Sequence, residues 1–167
     1  MSSSNGIDAS AFVGALANAA NSVTIVTTAG DGGRAGLTVS SMCSVCAEPP
    51  IVLACVSRDN EFCSIVSSNQ TFCVNLLNTT QVEIAKVFAG MGPNPDADRF
   101  IAGDWDVITT GAPALKGAVA SLDCQLQQSY THGTHTIYIG LVVGLNHQAA
   151  DPLVYHDRAF SRSVPLQ

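Results

Sequence analysis

Charged side chains are scarce in this chain. Of its 167 residues only 12% are Asp, Glu, Lys or Arg, whereas 47% are hydrophobic, and the formal net charge is -6. So few solvated groups cannot cover the chain, and we expect a homodimer because permanent subunit interfaces are more apolar than ordinary surface. The seven Lys and Arg residues are scattered. This argues against a nucleic-acid partner, whose binding needs basic groups that neutralise phosphates.

Long apolar runs and a basic leader are also absent. No apolar run approaches the ~20 residues that span a bilayer, so we expect no membrane partner. No basic residue precedes Arg34, which leaves no signal-peptide n-region and predicts a cytoplasmic protein. A chain of this length fits one domain over residues 1–167, with residues 1–7 expected to be disordered.

Six cysteines could indicate a disulfide framework or a metal site. Most of them lie in apolar, strand-like runs, as Cys55 does in IVLACV (51–56), where free cysteine behaves as a small buried hydrophobe. We therefore expect reduced core thiols, as in a cytosolic protein. Zinc could combine Cys43 and Cys46 with His132 and His135, but residues three apart in a strand point to opposite faces. We expect no metal.

Strand-like runs dominate the chain, with few helices between them. Asp8 can cap a helix with an apolar stripe of Phe12, Leu16 and Ala19. The expected strands cover 23–28, 36–41, 51–56, 71–77, 118–130 and 134–145, the other helices cover 61–68 and 80–88, and 90–117 is expected to be loop-rich. This pattern predicts a mainly β (α+β) protein with an antiparallel barrel rather than a βαβ sheet.

The segment Gly30–Ala35 formally matches the dinucleotide fingerprint G-x-G-x-x-G/A. That fingerprint works only where a helix opens at its last glycine, so that the helix N-terminus meets a pyrophosphate. Here the β-branched run GLTVSS follows instead. We therefore interpret the segment as a β-hairpin turn.

Two polar patches and one histidine are candidates for a binding site. Thr38–Ser41 follows the hairpin, and Cys55–Asn60 leaves the end of an apolar strand, with Arg58 as a possible phosphate partner. Both patches could equally be ordinary strand ends. His135 begins a strictly alternating strand and could be a structural imidazole or a functional one.

The same patches carry a resemblance to a known family. The motifs GLTVSSMCSVCAEPPIVLACVSRDNEF, FCVNLLN, DRF (98–100), GAPALKGAVASLDC, GTHTIYIGLV and PLVYHDRAF occur in order between Phe12 and Phe160. Together they resemble the flavin reductase-like family with an FMN-binding split barrel, the reductase components of two-component flavin-dependent monooxygenases. The resemblance implies a homodimeric antiparallel split β-barrel with a few short flanking helices. It also implies an NADH-dependent flavin reductase that reduces FAD or FMN and supplies a partner monooxygenase of the aromatic hydroxylase type.

The resemblance assigns site residues position by position. The flavin ring would lie against Gly36, Leu37, Thr38, Val39, Ser40 and Ser41; the ribityl chain and phosphate against Cys55, Val56, Ser57, Asn60, Glu61 and Phe62, with Arg58 nearby; and the far end of the flavin near Val87 and Phe88. His135 would take the place of the family histidine beside the nicotinamide, and Tyr155, His156, Asp157 and Arg158 would border NADH. The sequence departs from the family at Cys46, where serine is common, and at Thr134, where aspartate is common. The second departure affects the orientation of His135.

The implied chemistry suits a chain without an evident catalytic triad. Hydride moves from nicotinamide C4 to flavin N5, so both reacting groups belong to cofactors and the protein supplies orientation. NADH is expected over NADPH because no arginine cluster is present for a 2′-phosphate. Two other readings are a flavin-binding electron carrier on the same barrel, with little NAD(P)H turnover, and a pyridoxamine phosphate oxidase-like enzyme. The second reading should show a richer basic phosphate site.

Overall fold

The structure is a computed structural model that describes residues 6–94 and 97–166. Most of the lead-in expected to be disordered, residues 1–5, lies outside the described residues, as does Pro95 of the expected loop. In the described part of the chain, no helix is both long and apolar enough to cross a membrane.

Twelve strands and three short helices make up the regular structure of the described residues, with 3-10 turns at Thr79–Gln81 and Arg99–Ala102. The helices are α1 (Ala9–Ala17), α2 (Phe62–Asn69) and α3 (Val82–Phe88). The strands are β1 (Asn21–Ser22), β2 (Thr24–Gly30), β3 (Gly33–Val39), β4 (Met42–Ala47), β5 (Pro50–Ser57), β6 (Thr71–Leu76), β7 (Trp105–Val107), β8 (Pro113–Leu115), β9 (Ala120–His132), β10 (His135–His147), β11 (Leu153–His156) and β12 (Ala159–Arg162).

Seven strands form one antiparallel sheet in the order β3-β2-β6-β9-β10-β5-β4. Its two edge strands, β3 and β4, are consecutive in the chain and are joined through Ser40 and Ser41. The expected mainly β fold with a split barrel and few flanking helices is confirmed. The barrel interior holds apolar side chains such as Val26, Val56 and Phe72, each at most 1% exposed. Burying each contributes about 1.5–3 kcal/mol.

The two main hairpins have short turns. Gly30 pairs with Gly33 across Asp31 and Gly32, so the hairpin interpretation of this segment is confirmed. The longest hairpin joins β9 and β10, and Gly133 in its turn has a φ of 57°, a left-handed conformation that favours glycine.

The segment 90–117 has more structure than expected. It contains the Arg99–Ala102 turn and the β7–β8 hairpin. Two buried polar side chains hold it against the barrel. Asp123 accepts hydrogen bonds from the backbone N–H groups of Thr109 and Thr110, both at 2.7 Å. Asn75 accepts one from the Leu115 N–H at 2.8 Å. The segment is loop-rich as expected outside these short elements, and sequence periodicity carries no signal for such side-chain-to-backbone contacts.

The cysteine expectations are only partly met. Cys73 and Cys124 are buried core thiols, but Cys43 and Cys46 are exposed on the edge strand β4, so for them the core expectation was wrong. A β-bulge lies between Ser44 and Cys46.

The bulge also overturns the geometric argument against a Cys43–Cys46 pair. Cys43 pairs with Leu53 and Cys46 with Ile51, two positions apart on β5, so both thiols face the same side. His132 and His135 are likewise direct cross-strand partners rather than members of one strand. Even so, the described residues contain no group of three or more His, Cys, Asp or Glu arranged to hold a metal ion.

Helix α1 begins as expected, but its apolar stripe faces outward. The Asp8 carboxylate accepts a hydrogen bond from the Ala11 N–H at 3.1 Å and caps the helix. No residue of α1 is buried, and Phe12 and Leu16 are 56% and 54% exposed. A single chain therefore leaves this stripe uncovered.

Candidate functional site

The two polar patches identified in the sequence lie side by side. Ser41, between β3 and β4, donates its hydroxyl to the Cys55 carbonyl at 2.9 Å, and the Cys55 N–H donates to the Ser41 carbonyl at 3.0 Å. These reciprocal bonds fix the end of the first patch against the start of the second. Burial, followed by the neighbouring Cys43, raises the pKa of the Cys55 thiol, so that thiol is held neutral beside the patches.

His135 joins the second patch from the neighbouring strand. It is the first residue of β10 and pairs with Ser57, the last residue of β5. The Arg58 N–H donates to the Thr134 carbonyl at 3.0 Å, and the Thr134 hydroxyl lies 2.9 Å from His135 Nδ1. Thr134 thus supplies an oxygen partner where family members commonly have aspartate, and the exposed ring keeps its Nε2 edge available.

Helix α3 packs against the first patch at close range. The Thr38 hydroxyl donates to the Ala85 carbonyl at 2.8 Å. A Cβ at Gly36 would lie 2.7 Å from Phe88 Cε1, so only glycine allows this approach. Val87 is half-buried on the same helix.

Four of the expected site residues place their side chains in the core. Leu37, Val56, Phe62 and Phe88 are at most 8% exposed. The Phe88 ring stacks edge-on against Phe100 at 5.1 Å. These residues can border a ligand mainly through their backbone, whereas Val39, Ser40 and Ser41 keep partly or largely exposed side chains.

Asn60 shapes the start of α2. Its Oδ1 accepts a hydrogen bond from the Phe62 N–H at 3.0 Å, and its own N–H donates to the Ser57 carbonyl at 3.0 Å. Glu61 is exposed at the helix start and forms no capping bond. Its carboxylate is therefore free of helix-capping contacts.

Tyr155 lies between two clefts next to the first patch. One, of about 200 Å³, is lined by Thr38, Val39, Ser40 and Met91 among others. The second, of about 400 Å³, lies between Ser40, Ser41, Arg158 and α1. Both combine apolar walls with hydroxyl groups, and the larger one is within the size range of small-molecule and cofactor sites. An aromatic cofactor ring fits such a lining.

The turn between β11 and β12 holds the remaining expected residues. Asp157 and Arg158 have φ values of 48° and 60°, which makes this a tight two-residue hairpin turn. The Asp157 N–H donates to the Ala17 carbonyl at 2.8 Å and ties the turn to α1. His156 is exposed, and it alternates with Tyr155 along β11, so its side chain points away from the Tyr155 clefts.

Sequence reasoning did not single out a polar cleft on the other side of Gly36. Arg34, Asp98 and Arg99 line it together with Glu61. Two signals in the sequence lie at this cleft: Asp98 and Arg99 belong to the DRF motif, and Arg34 lies two residues before Gly36 and therefore on the same face of β3. The approach of Arg99, which is distant in sequence, is a tertiary contact.

Comparisons with known proteins agree with this geometry. The family model described as flavin reductase like domain matches residues 16–163. The chain is 40% identical over 151 residues to an FMN reductase (NADH) RutF of Pseudomonas syringae, which covers 90% of this chain and 84% of that protein.

Two solved structures have the same fold. The NADH:FAD oxidoreductase SgcE6 of Streptomyces globisporus has a TM-score of 0.85 and 31% identity, covering 98% of this chain and 100% of that one. BorF, the flavin reductase component of a bacterial two-component tryptophan halogenase, has a TM-score of 0.83 and 31% identity, covering 93% and 98%. The residues that carry the resemblance, from the Gly36–Ser41 patch to the β11–β12 turn, all fall inside the matched region, and this chain belongs to the flavin reductase like family.

Proposed function

We propose that the protein is an NADH-dependent flavin reductase that reduces FAD or FMN and supplies reduced flavin to a partner monooxygenase of the aromatic hydroxylase type. The observation that carries the proposal is the family match over residues 16–163, which includes both polar patches and His135. The contact of Ser41 with Cys55, and of Ser57 with His135, joins these parts into one surface.

The names of the relatives support the reductase activity, the use of NADH and a flavin, and a separate partner enzyme. RutF of Pseudomonas syringae is an FMN reductase that uses NADH. SgcE6 is an NADH:FAD oxidoreductase, and it has been solved in complex with NAD and FAD fragments. BorF is the flavin reductase component of a two-component tryptophan halogenase, which supports a separate partner enzyme for this chain.

The residues of this chain would contribute orientation rather than acid–base chemistry. A bound flavin accepts hydride from the nicotinamide, and both reacting atoms belong to cofactors. The backbone from Gly36 to Ser41 would hold the flavin ring, and the segment Cys55–Glu61 with Arg58 would hold its ribityl chain and phosphate. His135, anchored to Thr134, and Tyr155 would fix the nicotinamide over the ring.

A homodimer and a cytoplasmic location are parts of the same proposal. The uncovered apolar stripe of α1, with Phe12 and Leu16 more than half exposed, supports a subunit contact. All six cysteines are free thiols, which supports a reducing compartment.

Steady-state oxidation of NADH and NADPH with riboflavin, FMN or FAD tests the proposal. We expect NADH oxidation only when a flavin is supplied or retained, and a lower rate with NADPH. A higher rate with NADPH would contradict the NADH preference. Tight flavin binding without turnover would favour the second candidate, a flavin-binding electron carrier on the same barrel.

A further inference from the structure

A polar cleft of about 360 Å³ lies beside Gly36, the first residue of the Gly36–Ser41 segment that we propose for flavin binding. Side chains of both charges and an aromatic ring line this cleft. Its lining includes Arg34, Gly36, Glu61, Asp98, Arg99 and Phe100. Two of these residues, Gly36 and Glu61, belong to the segments that we propose for flavin binding. A ligand group that leaves the flavin site at this end would enter the cleft.

The guanidinium of Arg34 is held by an ion pair and an aromatic ring. Its Nη2 is 2.6 Å from Asp98 Oδ2, and its Cζ lies 4.4 Å from the centroid of the Phe100 ring. The side chain remains 50% exposed. The Phe100 ring therefore covers one side of the guanidinium, and the exposed half of the side chain leaves room for a second planar group, such as a nucleobase.

Arg99 supplies a positive charge close to Gly36. Its Nη1 donates to the Gly36 carbonyl at 3.3 Å. Within residues 6–94 and 97–166, no carboxylate lies within ion-pair distance of this guanidinium. Its remaining donors can therefore meet a phosphate group, for which arginine has matching geometry.

The carboxylates indicate what kind of ligand the cleft suits. A bare phosphate would meet Glu61 and Asp98, which repel it. A nucleotide uses both kinds of group, because its phosphates need cations while its ribose hydroxyls donate to a carboxylate. Glu61 is exposed and makes no capping bond, so its oxygens can accept from a ribose.

We propose that this cleft binds the adenylate half of FAD and makes FAD the preferred flavin. The adenine stacks on the free face of Arg34, the ribose hydroxyls donate to Glu61, and Arg99 contacts the pyrophosphate. This inference rests on the proposed flavin-binding function and extends it to the choice between FAD and FMN.

Equilibrium binding of riboflavin, FMN and FAD, measured by calorimetry, tests the assignment on four proteins: the wild type, Arg34→Gln, Arg99→Gln and Arg162→Gln. The wild type is expected to bind FAD about tenfold more tightly than FMN. Arg34→Gln weakens FAD binding about tenfold and leaves FMN and riboflavin within twofold. Arg99→Gln weakens FAD and FMN but not riboflavin.

Arg162→Gln is the matched control, since it removes one positive charge from an exposed residue of β12 that does not line the cleft. It should leave all three affinities unchanged. Thermal unfolding of each variant checks that folding is intact, and the half-exposed Arg34–Asp98 pair should contribute little to stability.

The inference is overturned if the wild type binds FMN as tightly as FAD, or if Arg34→Gln weakens riboflavin and FAD equally. NADH oxidation by the wild type separates this result from the proposed function. If the wild type binds FAD more tightly than FMN but does not oxidise NADH, only the reductase proposal is contradicted. Turnover with equal affinities for FAD and FMN would contradict the adenylate site alone.

Discussion

At the scale of single residues, His135 is held by contacts that suit positioning. It lies opposite Ser57, and its Nδ1 is 2.9 Å from the Thr134 hydroxyl. Hydride transfer needs no proton from the protein, so we expect that the imidazole is not an obligatory acid. Its contribution would come from holding the nicotinamide in place.

Replacing His135 by alanine should therefore have a moderate and selective effect. We expect kcat/KM for NADH to fall on the order of ten- to a hundredfold, or roughly 1.4–2.8 kcal/mol, the scale of one or two positioning contacts. Flavin affinity should change much less, because the Gly36–Ser41 and Cys55–Asn60 segments would hold the flavin. The measurement is steady-state kinetics and flavin binding on the same variant.

His147→Ala provides a control at the other end of the same strand. His147 is the last residue of β10 and is exposed, as His135 is. The His147→Ala variant should have unchanged kinetics with NADH. If His135→Ala also leaves them unchanged while flavin binding or thermal stability collapses, His135 is a structural residue.

Two buried thiols make stability depend on alkaline pH. Burial, with a smaller contribution from Asp123, raises the pKa of Cys124 from 9.0 to about 12, and burial raises the pKa of Cys73 in the same direction. As the pH rises above 9, the unfolded chain loses thiol protons that the folded chain keeps. For Cys124, stability should fall between pH 9 and pH 12 on the order of 1 kcal/mol per pH unit, and the Cys73 thiol should act in the same direction.

Urea unfolding at pH 7.5 and pH 10.5 checks this prediction. Cys124→Ala should be less stable at both values because it leaves a cavity. Its loss of stability between the two pH values should nevertheless be smaller than that of the wild type. Equal losses would contradict a role for this thiol.

At the scale of elements, the packing of α3 on β3 depends on Gly36, which has no side chain. Phe88 is 1% exposed and is surrounded by Phe100 and Trp105, so its ring cannot yield to a Cβ at Gly36. Gly36→Ala should reduce the free energy of unfolding by about 1–3 kcal/mol. It should also weaken flavin binding, since the Gly36 backbone would shift. Chemical denaturation and flavin titration measure the two effects.

Gly14→Ala is the matched control for that substitution. Gly14 lies inside α1, and a Cβ there meets nothing within 4 Å. Alanine is the better helix former, so stability should stay the same or rise by up to about 1 kcal/mol. A loss from Gly14→Ala as large as that from Gly36→Ala would rule out the steric explanation.

A buried carboxylate holds the connection between β7 and β8. Asp123 is fully buried and accepts hydrogen bonds from the Thr109 N–H, the Thr110 N–H and the Thr110 hydroxyl. Asparagine at this position would keep only one acceptor oxygen, and its NH2 group would face hydrogen-bond donors. Asp123→Asn should therefore reduce the free energy of unfolding by about 2–4 kcal/mol. Asp106→Asn, at an exposed site on β7, should cost less than about 0.5 kcal/mol. Thermal and urea unfolding compare the two, and similar losses would contradict this role for Asp123.

The strands, hairpins and polar patches could be predicted because each has a local cause. Alternating apolar residues mark β9 and β10, and glycines mark the turn after Gly30. The bulge before Cys46 could not be predicted, because the residue composition of β4 does not reveal it. The bulge nevertheless reverses the face of the sheet toward which the Cys46 side chain points. The polar cleft lined by Arg34 and Arg99 could not be predicted either, because it depends on contacts between residues far apart in the chain.

At the scale of the whole molecule, the expected active unit is a dimer. One chain leaves Phe12, Val13 and Leu16 each more than half exposed on α1, beside the 400 Å³ cleft. Burial of this surface against a second copy would remove it from water and help to complete the cleft. Light scattering should give twice the chain mass of 17.3 kDa. A stable, active monomer at micromolar concentration would rule out this assembly.

The strand order also has a consequence during synthesis on the ribosome. Strand β6 pairs on one side with β9, and β5 pairs with β10, so residues 120–147 fill the gap between two halves of the sheet that are translated much earlier. Until that hairpin emerges, both β5 and β6 expose a row of unpaired backbone groups beside apolar side chains. A nascent chain that pauses near residue 118 therefore exposes two unpaired strand edges, those of β5 and β6. Chaperones that bind extended apolar segments should associate with the chain most at that stage.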